Sequence, residues 1–210
     1  MEYLGRGDML RYLEARSRPL PEQETKAIAF QLVEALCLLH GEGFSHRDLK
    51  PSNILIVTSP PKPWWVKIGD FGLSKRIQAQ SEQGSSHEHV KGTPAYMPPE
   101  LLGLFPTPPG SNPDPMRADM WSLGESIYQI LTKCRTFKDI TALGEYVRDL
   151  SSFPLVPLRR ARVSKEGIDF IQSCMTPQPR DRGRAPTALQ HDWIKAPYQV
   201  QSAWPLDASR

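Results

Sequence analysis

The sequence predicts a mainly α-helical domain that carries one small β-hairpin. Three observations support this fold class. Apolar residues recur at helical spacing over much of the chain, two short apolar runs flank a proline-rich turn, and no internal repeat divides the 210 residues. A chain of this length can bury a hydrophobic core of its own. We therefore expect one domain over residues 1–195, followed by a loose tail over residues 196–210.

Two helices are predicted before residue 41, from Asp8 to Ser17 and from Pro21 to His40. The second begins with a proline and two nearby acidic residues, which suit a helix N-terminus, and it stops where Gly41 and Gly43 follow. Its apolar residues recur on one face at Ile28, Leu32, Leu36 and Leu39. This pattern indicates an amphipathic helix with one face in the core.

The hairpin is predicted from two short apolar runs, Ile54 to Val57 and Trp65 to Ile68. Between them lie the six residues from Thr58 to Pro63, which include three prolines, as is typical of a turn. Downstream, the segment from Lys75 to Lys91 loses all periodicity and is rich in Gln, Ser, Glu and His. We expect that segment to be a loop.

The second half of the chain is predicted to be helical. A proline-rich loop from Phe105 to Pro115 precedes a central helix from Ala118 to Thr132. The apolar stripe of this helix consists of Met120, Leu123, Ile127, Ile130 and Leu131. Three further helices are expected, from Ile140 to Leu150, from Ser164 to Met175 and from Pro186 to Ile194.

Composition excludes several classes of protein. Lys and Arg total 26 and Asp and Glu total 23, so the net charge is only +3, and 39% of the residues are hydrophobic. The densest basic group is Arg159, Arg160 and Arg162, which has no neighbouring aromatic motif of the kind that binds RNA. We therefore expect no nucleic-acid partner. The longest apolar run, Ala35 to Leu39, is far shorter than the roughly 20 residues of a membrane helix, so we expect no membrane partner either.

The cysteines point to a reducing compartment. Cys37, Cys134 and Cys174 are an odd number and show no Cys-x-x-Cys spacing, so neither a disulfide framework nor a zinc site is predicted. We expect the protein in the cytoplasm or the nucleus.

Three motifs carry the chemistry. Residues 46–53 read H-R-D-L-K-P-S-N, which fits H-R-D-L-x-x-x-N at every fixed letter. Asp-Phe-Gly follows at residues 70–72, and Gly-Thr-Pro-Ala-Tyr-Met-Pro-Pro-Glu follows at residues 92–100. In this order the motifs resemble those of the eukaryotic Ser/Thr protein kinases, and the resemblance covers roughly Met1 to Trp193.

The resemblance implies the C-terminal lobe of the protein-kinase fold. The opening residues resemble the hinge between the two lobes, and the 210 residues contain no Gly-rich phosphate loop, no strand lysine and no partner glutamate. We therefore expect a fragment, a truncated gene product or a degenerate relative that lacks the N-terminal lobe. A lobe without its partner exposes apolar surface around Phe71, so we also expect self-association through that face.

For catalysis, the resemblance implies transfer of the γ-phosphate of ATP to Ser or Thr hydroxyls of protein substrates. Asp48 would orient the hydroxyl and accept its proton, and Lys50 would stabilise charge on the transferred phosphate. Asn53 and Asp70 would hold Mg²⁺ through hard oxygen ligands. Read singly, Asp48 would fit a turn or helix cap, and residues 70–72 would fit an ordinary Asx turn.

For nucleotide binding, the resemblance implies six residues, of which Asn53 and Asp70 act through the metal. Glu2 and Leu4 lie in the hinge-like segment, where Leu4 would offer backbone groups to adenine. Asp8 is placed for the ribose, and Leu55 would lie against the adenine ring.

The resemblance also assigns an activation segment, whose residues are Arg47, Phe71, Gly72, Thr93, Glu100 and Arg182. Arg47 is of the residue type that grips a phosphate bidentately. Arg182 would pair with Glu100, which closes the segment. Asp119, at the start of the central helix, would hold the backbone of the catalytic loop.

Two departures from the family pattern bear on function. Pro98 replaces the usual alanine, and Ser52 occupies a position where relatives that prefer basic substrates carry an acid. An arginine-directed specificity is therefore not supported by the sequence. The alternative to a kinase is a non-catalytic kinase-like module that binds partners, or an inactive fragment.

Overall fold

The computed structural model describes residues 7–76, 92–105 and 113–195. Within these residues the helices are α1 (Met9–Glu14), α2 (Glu22–Gly41), α3 (Pro115–Thr132), α4 (Ile140–Arg148), α5 (Leu155–Arg160), α6 (Lys165–Cys174), α7 (Ala185–Ala188) and α8 (Asp192–Lys195). The strands are β1 (Phe44–Ser45), β2 (Ile54–Thr58), β3 (Trp65–Ile68) and β4 (Lys75–Arg76). The prediction of a mainly α-helical fold with a small hairpin is confirmed.

The central helix α3 organises the core. Asp114 caps its N-terminus by accepting a hydrogen bond from the backbone N–H of Met116 at 3.0 Å, and Pro115 occupies the first turn. The helix therefore begins three residues before the predicted start at Ala118, because a proline is tolerated where no helical hydrogen bond is needed. Every residue from Ala118 to Tyr128 is buried, so other elements surround this part of the helix.

The hairpin of β2 and β3 packs on α2. Its strands are antiparallel, with Ile54 paired to Ile68, as the two apolar runs predict. Gln31 of α2 binds the start of β3, since its Nε2 donates to the carbonyl oxygen of Trp64 at 2.9 Å and its Oε1 accepts from the N–H of Val66 at 3.0 Å. The amide therefore fixes the hairpin to the helix.

A second, shorter pairing was not predicted. β1 and β4 form a two-stranded antiparallel sheet in which Phe44 pairs with Arg76 and Ser45 with Lys75. The predicted loop from Lys75 to Lys91 is therefore wrong at its first two residues. Strands of two residues are too short to show a period of two, so only tertiary contact reveals them.

Helix α5 was also missed, and two predicted helices were too long. The segment of α5 contains Pro157 and follows Pro154, and both prolines lie at or near its N-terminal turn, where a proline is tolerated. α1 ends at Glu14 rather than at the predicted Ser17. α4 ends at Arg148 rather than at the predicted Leu150, because a short 3₁₀ turn begins at Leu150.

The predicted helix from Pro186 to Ile194 is divided into α7 and α8. The chain turns at His191, whose Nδ1 accepts a hydrogen bond from the backbone N–H of Trp193 at 3.2 Å. This turn directs the Trp193 ring into the core, where its Nε1 donates to Glu22 of α2 at 2.9 Å. Burial of an aromatic ring with a satisfied N–H outweighs helix continuity here.

Four predicted segments extend outside the described residues. They are residues 1–6 of the hinge-like segment, residues 77–91 of the first loop, residues 106–112 of the second loop and the tail over residues 196–210. Among the described residues, no helix is long and apolar enough to cross a membrane.

An acidic side chain lies inside this core. Glu125, in the middle of α3, is 2% exposed, and its Oε1 accepts the backbone N–H of Thr136 at 3.0 Å. Burial raises the pKa of Glu125 to about 7, although the hydrogen bonds from Thr136 and the charge of Arg135 lower it. Burial dominates because desolvation disfavours the charged carboxylate.

We expect this carboxyl to make stability depend on pH. Its folded-state pKa of about 7 exceeds the ordinary value of 4.5, so the folded protein holds a proton that the unfolded chain releases. The stabilisation is complete below pH 4.5 and is lost as the pH rises through 7. Relative to Glu125→Gln, the wild-type free energy of unfolding should fall by roughly 2 kcal/mol between pH 5 and 8.

Urea denaturation at several pH values measures this difference, and Glu145→Gln, a change at an exposed acid of α4, is the matched control. Parallel pH profiles for the wild type and Glu125→Gln would contradict the prediction.

Candidate active site

The candidate site is built on the loop between β1 and β2, and the carboxylate of Asp119 holds that loop. Asp119 is 0% exposed. Its Oδ2 accepts the backbone N–H of His46 and its Oδ1 accepts that of Arg47, both at 2.8 Å. The Nε2 of His40, at the end of α2, lies 2.9 Å from Oδ2. A buried carboxylate with three donors is well satisfied, so the loop is anchored to the central helix.

The ring of His46 joins this loop to the end of the hairpin. The ring is fully buried, its Nδ1 lies 3.4 Å from the backbone N of Asp48, and its Nε2 lies 3.0 Å from the carbonyl oxygen of Gly69. A carbonyl oxygen only accepts, so we assign the ring proton to Nε2. The roles of His46 and His40 were not predicted, since the partners of a histidine cannot be read from the spacing of residues alone.

Asp48 lies at the centre of a network of short hydrogen bonds. Its Oδ2 accepts from the Nζ of Lys50 at 2.7 Å and from the Nδ2 of Asn53 at 3.2 Å. Its Oδ1 accepts from the Oγ1 of Thr93 at 2.7 Å and from the Thr93 backbone N–H at 3.0 Å. Lys50 also donates to the Oγ1 of Thr93 at 2.7 Å. The structure thus brings four of the predicted site residues into contact.

This network keeps the Asp48 carboxyl ionised. Burial raises its pKa, but the hydrogen bonds from Lys50 and Thr93 and the positive charge of Lys50 outweigh burial and leave the pKa below its ordinary value. Hydrogen bonds to the charged form always act in this direction. Asp48 is therefore a carboxylate at neutral pH, although it is only 8% exposed.

The hairpin brings Asn53 and Asp70 to the same end of the sheet. β2 begins directly after Asn53 and β3 ends two residues before Asp70, and the pairing of Ile54 with Ile68 aligns these ends. The backbone N–H of Gly69 donates to the carbonyl oxygen of Asn53 at 2.8 Å, which extends the pairing.

Residues 70–72 form a tight turn beside the loop. Asp70 is exposed, has a left-handed backbone with a φ of 58°, and accepts the N–H of Gly72 on its Oδ1 at 3.3 Å. Phe71 is 51% exposed, and its ring lies edge-on to His46 with the centroids 5.3 Å apart. The exposed ring is consistent with apolar surface there, while self-association stays a prediction.

The predicted nucleotide contacts are only partly described. Glu2 and Leu4 lie outside the described residues. Leu55 is half-buried and forms a β-bridge with Asp8, so the chain before α1 runs beside β2. Asp8 caps α1 by accepting the N–H of Arg11 at 2.9 Å, a use that sequence analysis did not assign. Its role toward ribose stays a prediction.

Gly92 allows the activation segment to approach the catalytic loop closely. It has a φ of 130°, and a Cβ added there would lie 2.8 Å from the carbonyl oxygen of Arg47. No side chain fits at that distance, so the residue before Thr93 must be glycine. Arg47 itself is half-buried, and its Nε donates to the Oγ of Ser45 at 3.4 Å.

The segment ends on a buried ion pair. Arg182 is 0% exposed and donates from Nη1 and Nη2 to the two carboxylate oxygens of Glu100 at 2.9 and 3.1 Å. It also donates to the carbonyl oxygens of Thr176 and Pro177, and its guanidinium lies 5.1 Å from the centroid of the Trp121 ring. The pairing implied by the resemblance is present, and it fastens the segment to α3.

Replacing Asp119 should loosen the loop. Asp119→Asn keeps the shape of the side chain but removes its charge. The new amide N–H groups would face the N–H donors that the carboxylate now accepts, so we expect the free energy of unfolding to fall by roughly 3 kcal/mol. The backbone amides of His46 and Arg47 should exchange faster with solvent by NMR. Asp169→Asn, at an exposed position on α6, is the control. A change below about 1 kcal/mol with unaltered exchange would show that the carboxylate does not anchor the loop.

Comparisons with known proteins agree with this geometry. The protein kinase domain family matches residues 1–194. Serine/threonine-protein kinase cds1 of Schizosaccharomyces pombe is 35% identical over 196 residues, which cover 92% of this chain and 40% of that protein. Serine/threonine-protein kinase RAD53 of Saccharomyces cerevisiae is 36% identical over 204 residues, which cover 93% of this chain and 24% of that protein.

A solved structure is also similar. The crystal structure of the Rad53 kinase domain and SCD2 in complex with AMPPNP matches with a TM-score of 0.73 at 33% identity, over 93% of this chain and 68% of that chain. The chain spans less than half the length of the two curated relatives. It belongs to the protein kinase family, and within that family it is similar to the serine/threonine kinases.

Proposed function

We propose that this chain supplies the catalytic residues of an ATP-dependent protein serine/threonine kinase. The reaction would transfer the γ-phosphate of ATP to a Ser or Thr hydroxyl of a protein substrate. The observation that carries the proposal is the Asp48 carboxylate, which Lys50, Asn53 and Thr93 hold in one orientation. Phosphoryl transfer depends mainly on such positioning and on charge neutralisation.

Asp48 would orient the acceptor hydroxyl and take its proton. A residue in this role must be ionised at the working pH, and the hydrogen bonds that lower its pKa meet that requirement. Because Asp48 is largely buried, its charge acts in a medium of lower dielectric than water, where electrostatic interactions are stronger.

Lys50 would neutralise charge on the transferred phosphate. Its Nζ lies 2.7 Å from both the Asp48 carboxylate and the Thr93 hydroxyl, so the ammonium is held beside the acceptor position. An ammonium on a flexible stem can also reorient toward a phosphate when one is present.

The residues at the hairpin end fit a magnesium ion. The Nδ2 of Asn53 donates to the carbonyl oxygen and the Oδ2 of Asp48. That orientation leaves the Oδ1 of Asn53 for a cation, and Asp70 adds an exposed carboxylate. Mg²⁺ is commonly bound by one or two such groups together with substrate phosphates, whose negative charge it neutralises.

ATP is the nucleotide proposed. Leu55 would contact the adenine ring, Leu4 and Glu2 would supply the hinge-like contacts, and Asp8 would approach the ribose. The similar Rad53 structure contains the ATP analogue AMPPNP, which supports this choice. Arg47, Phe71, Gly72 and Thr93 would belong to the activation segment that Glu100 and Arg182 close. A cytoplasmic or nuclear location stays a prediction from the cysteine pattern.

Replacing Asp48 should separate catalysis from nucleotide binding. We expect Asp48→Asn to lower turnover by about 10²–10⁴-fold, because a positioned base contributes that much, while Mg-ATP binding stays nearly unchanged. The assay uses radiolabelled ATP and a Ser/Thr peptide mixture. It is run on this chain and on a chimera preceded by the Rad53 kinase-domain residues that lie before the matched region. Asp169→Asn is the matched control.

If the wild-type chimera folds and binds Mg-ATP but transfers no more phosphate than Asp48→Asn, the kinase proposal fails. The non-catalytic binding module would then be the better interpretation.

Replacing Asp70 should give a different pattern. Asp70→Ala removes the proposed exposed metal ligand, so we expect Mg²⁺-dependent nucleotide binding and phosphate transfer to be lost together. Isothermal titration of ATP with and without Mg²⁺ measures the binding. Unchanged Mg²⁺ dependence in Asp70→Ala would exclude Asp70 as a ligand.

A further inference from the structure

A pocket of about 210 Å³ lies beside the catalytic loop, between the segment over residues 94–97, the middle of α3 and the start of α4. We name it the α3–α4 pocket. The lining residues used below are Met97, Trp121, Glu125, Arg135, Phe137 and Leu143. Pockets for drug-sized ligands occupy about 300–1,000 Å³, so this pocket suits an occupant the size of one side chain.

The walls of the pocket are apolar and rigid. The rings of Trp121 and Phe137 are stacked with centroids 6.2 Å apart, and Phe137 stacks in turn on Tyr146 at 5.3 Å. Leu143 and Met97 are both buried. An occupant with an aliphatic stem would lose apolar surface to these walls, which favours binding.

Glu125 places a carboxyl among these apolar walls. It is 2% exposed, and no Lys, Arg or His side chain of the described residues forms a salt bridge with it. The hydrogen bonds from Thr136 and the charge of Arg135 lower the pKa of Glu125, but burial outweighs them and leaves this pKa raised. A buried carboxylate is stabilised when a cation reaches it, so the pocket presents an unfilled position for a positive group.

The charged side chains at the mouth of the pocket oppose the binding of a positive group only weakly. Arg135, Lys138 and Asp139 line the mouth and are exposed, and the Nζ of Lys138 lies 4.0 Å from the Oδ2 of Asp139. Two unit charges 4 Å apart have an interaction energy of only about 1 kcal/mol in bulk water. The interaction energy of the same two charges is about 4 kcal/mol where they lie close to the protein. The buried Glu125 therefore dominates for a group that enters the pocket.

The pocket lies next to the acceptor position. Its wall over residues 94–97 follows directly after Thr93, which contacts the Asp48 carboxylate. An extended peptide advances about 3.3 Å per residue, so a residue close to a hydroxyl at Asp48 can reach the pocket.

We propose that the α3–α4 pocket binds the side chain of an arginine or lysine of the protein substrate, with Glu125 as its counter-ion. The identification of the occupant as a substrate residue rests on the proposed function, whereas binding of the cation does not. Glu125 is then a specificity-determining residue at a position different from Ser52, where the sequence pattern had suggested no preference for basic substrates.

Binding is tested first with a matched pair of small probes. n-Pentylguanidinium carries an arginine-like cation on an aliphatic stem, and n-pentylurea is its uncharged counterpart. Each is titrated into the 210-residue chain at pH 8 without nucleotide, and NMR shifts of pocket residues, including the Trp121 indole N–H, report binding. A charge-assisted hydrogen bond contributes about 1.5–3 kcal/mol, so we expect roughly tenfold tighter binding or more for the cation.

The variants assign this preference to Glu125. Glu125→Gln should bind both probes equally, Glu145→Gln should keep the wild-type preference, and Arg135→Ala should bind the cation more tightly. At pH 6 the preference should shrink as Glu125 takes up a proton. The charged groups that line the pocket with Glu125 are Arg135, Lys138 and Asp139, and burial raises the pKa values of the nearby phenols Tyr96 and Tyr128, which stay neutral over this range.

Equal binding of the two probes to the wild type, no shift of pocket signals, or a preference that survives Glu125→Gln would overturn the proposal.

Binding of peptides that carry an acceptor serine and either arginine or citrulline at each neighbouring position then tests whether a substrate residue occupies the pocket. We expect arginine to be preferred at one position only when Glu125 is present. Peptides that show no such position would overturn the substrate assignment. Since neither measurement uses ATP, failure here is distinguishable from failure of the kinase proposal.

Discussion

The carboxylate of Asp119 connects the hydrophobic core of this protein to its candidate active site. The middle of α3 is fully buried, and α2, α5 and α6 pack against this helix, so its position is fixed by packing. From that position Asp119 accepts two successive backbone N–H groups, of His46 and Arg47, at 2.8 Å. Backbone donors have no rotamers, so the loop takes its conformation from the helix. The placement of Asp48 and Asn53 follows from that anchor.

Two further connections converge on the same loop. The ring of His46 links it to Gly69 at the end of the hairpin, and Thr93 links it to the activation segment. The ion pair of Arg182 with Glu100 fastens the far end of that segment to the core. The Asp48 carboxylate is therefore contacted by its own loop, through Lys50 and Asn53, and by the activation segment, through Thr93, and the hydrogen bonds of Lys50 and Thr93 lower its pKa.

The two buried acids of α3 show how partners decide what a buried charge does. Asp119 and Glu125 lie on one helix and are equally hidden from solvent. Asp119 has three donors around its carboxylate, so it is a structural anchor. Glu125 has only Thr136 as a hydrogen-bonding residue within the part of the chain that the structure describes, burial raises its pKa, and it lines a pocket. The carboxyl group of Asp119 has its hydrogen bonds made within the protein, whereas the carboxyl group of Glu125 is open to a ligand.

The sequence by itself determined the long helices and the hairpin and indicated the candidate site residues, because amphipathic periodicity and contiguous motifs are properties of neighbouring residues. Apart from the Arg182–Glu100 pair and the contact of Asp119 with the catalytic loop, which the family resemblance implied, contacts between residues far apart were decided by the tertiary structure. His40 meets Asp119 across 79 positions, β1 meets β4 across about thirty, and Glu125, which lines a pocket, accepts a hydrogen bond from Thr136. Burial and partner geometry set the pKa values of Asp48 and Glu125, and neither quantity exists before the chain has folded.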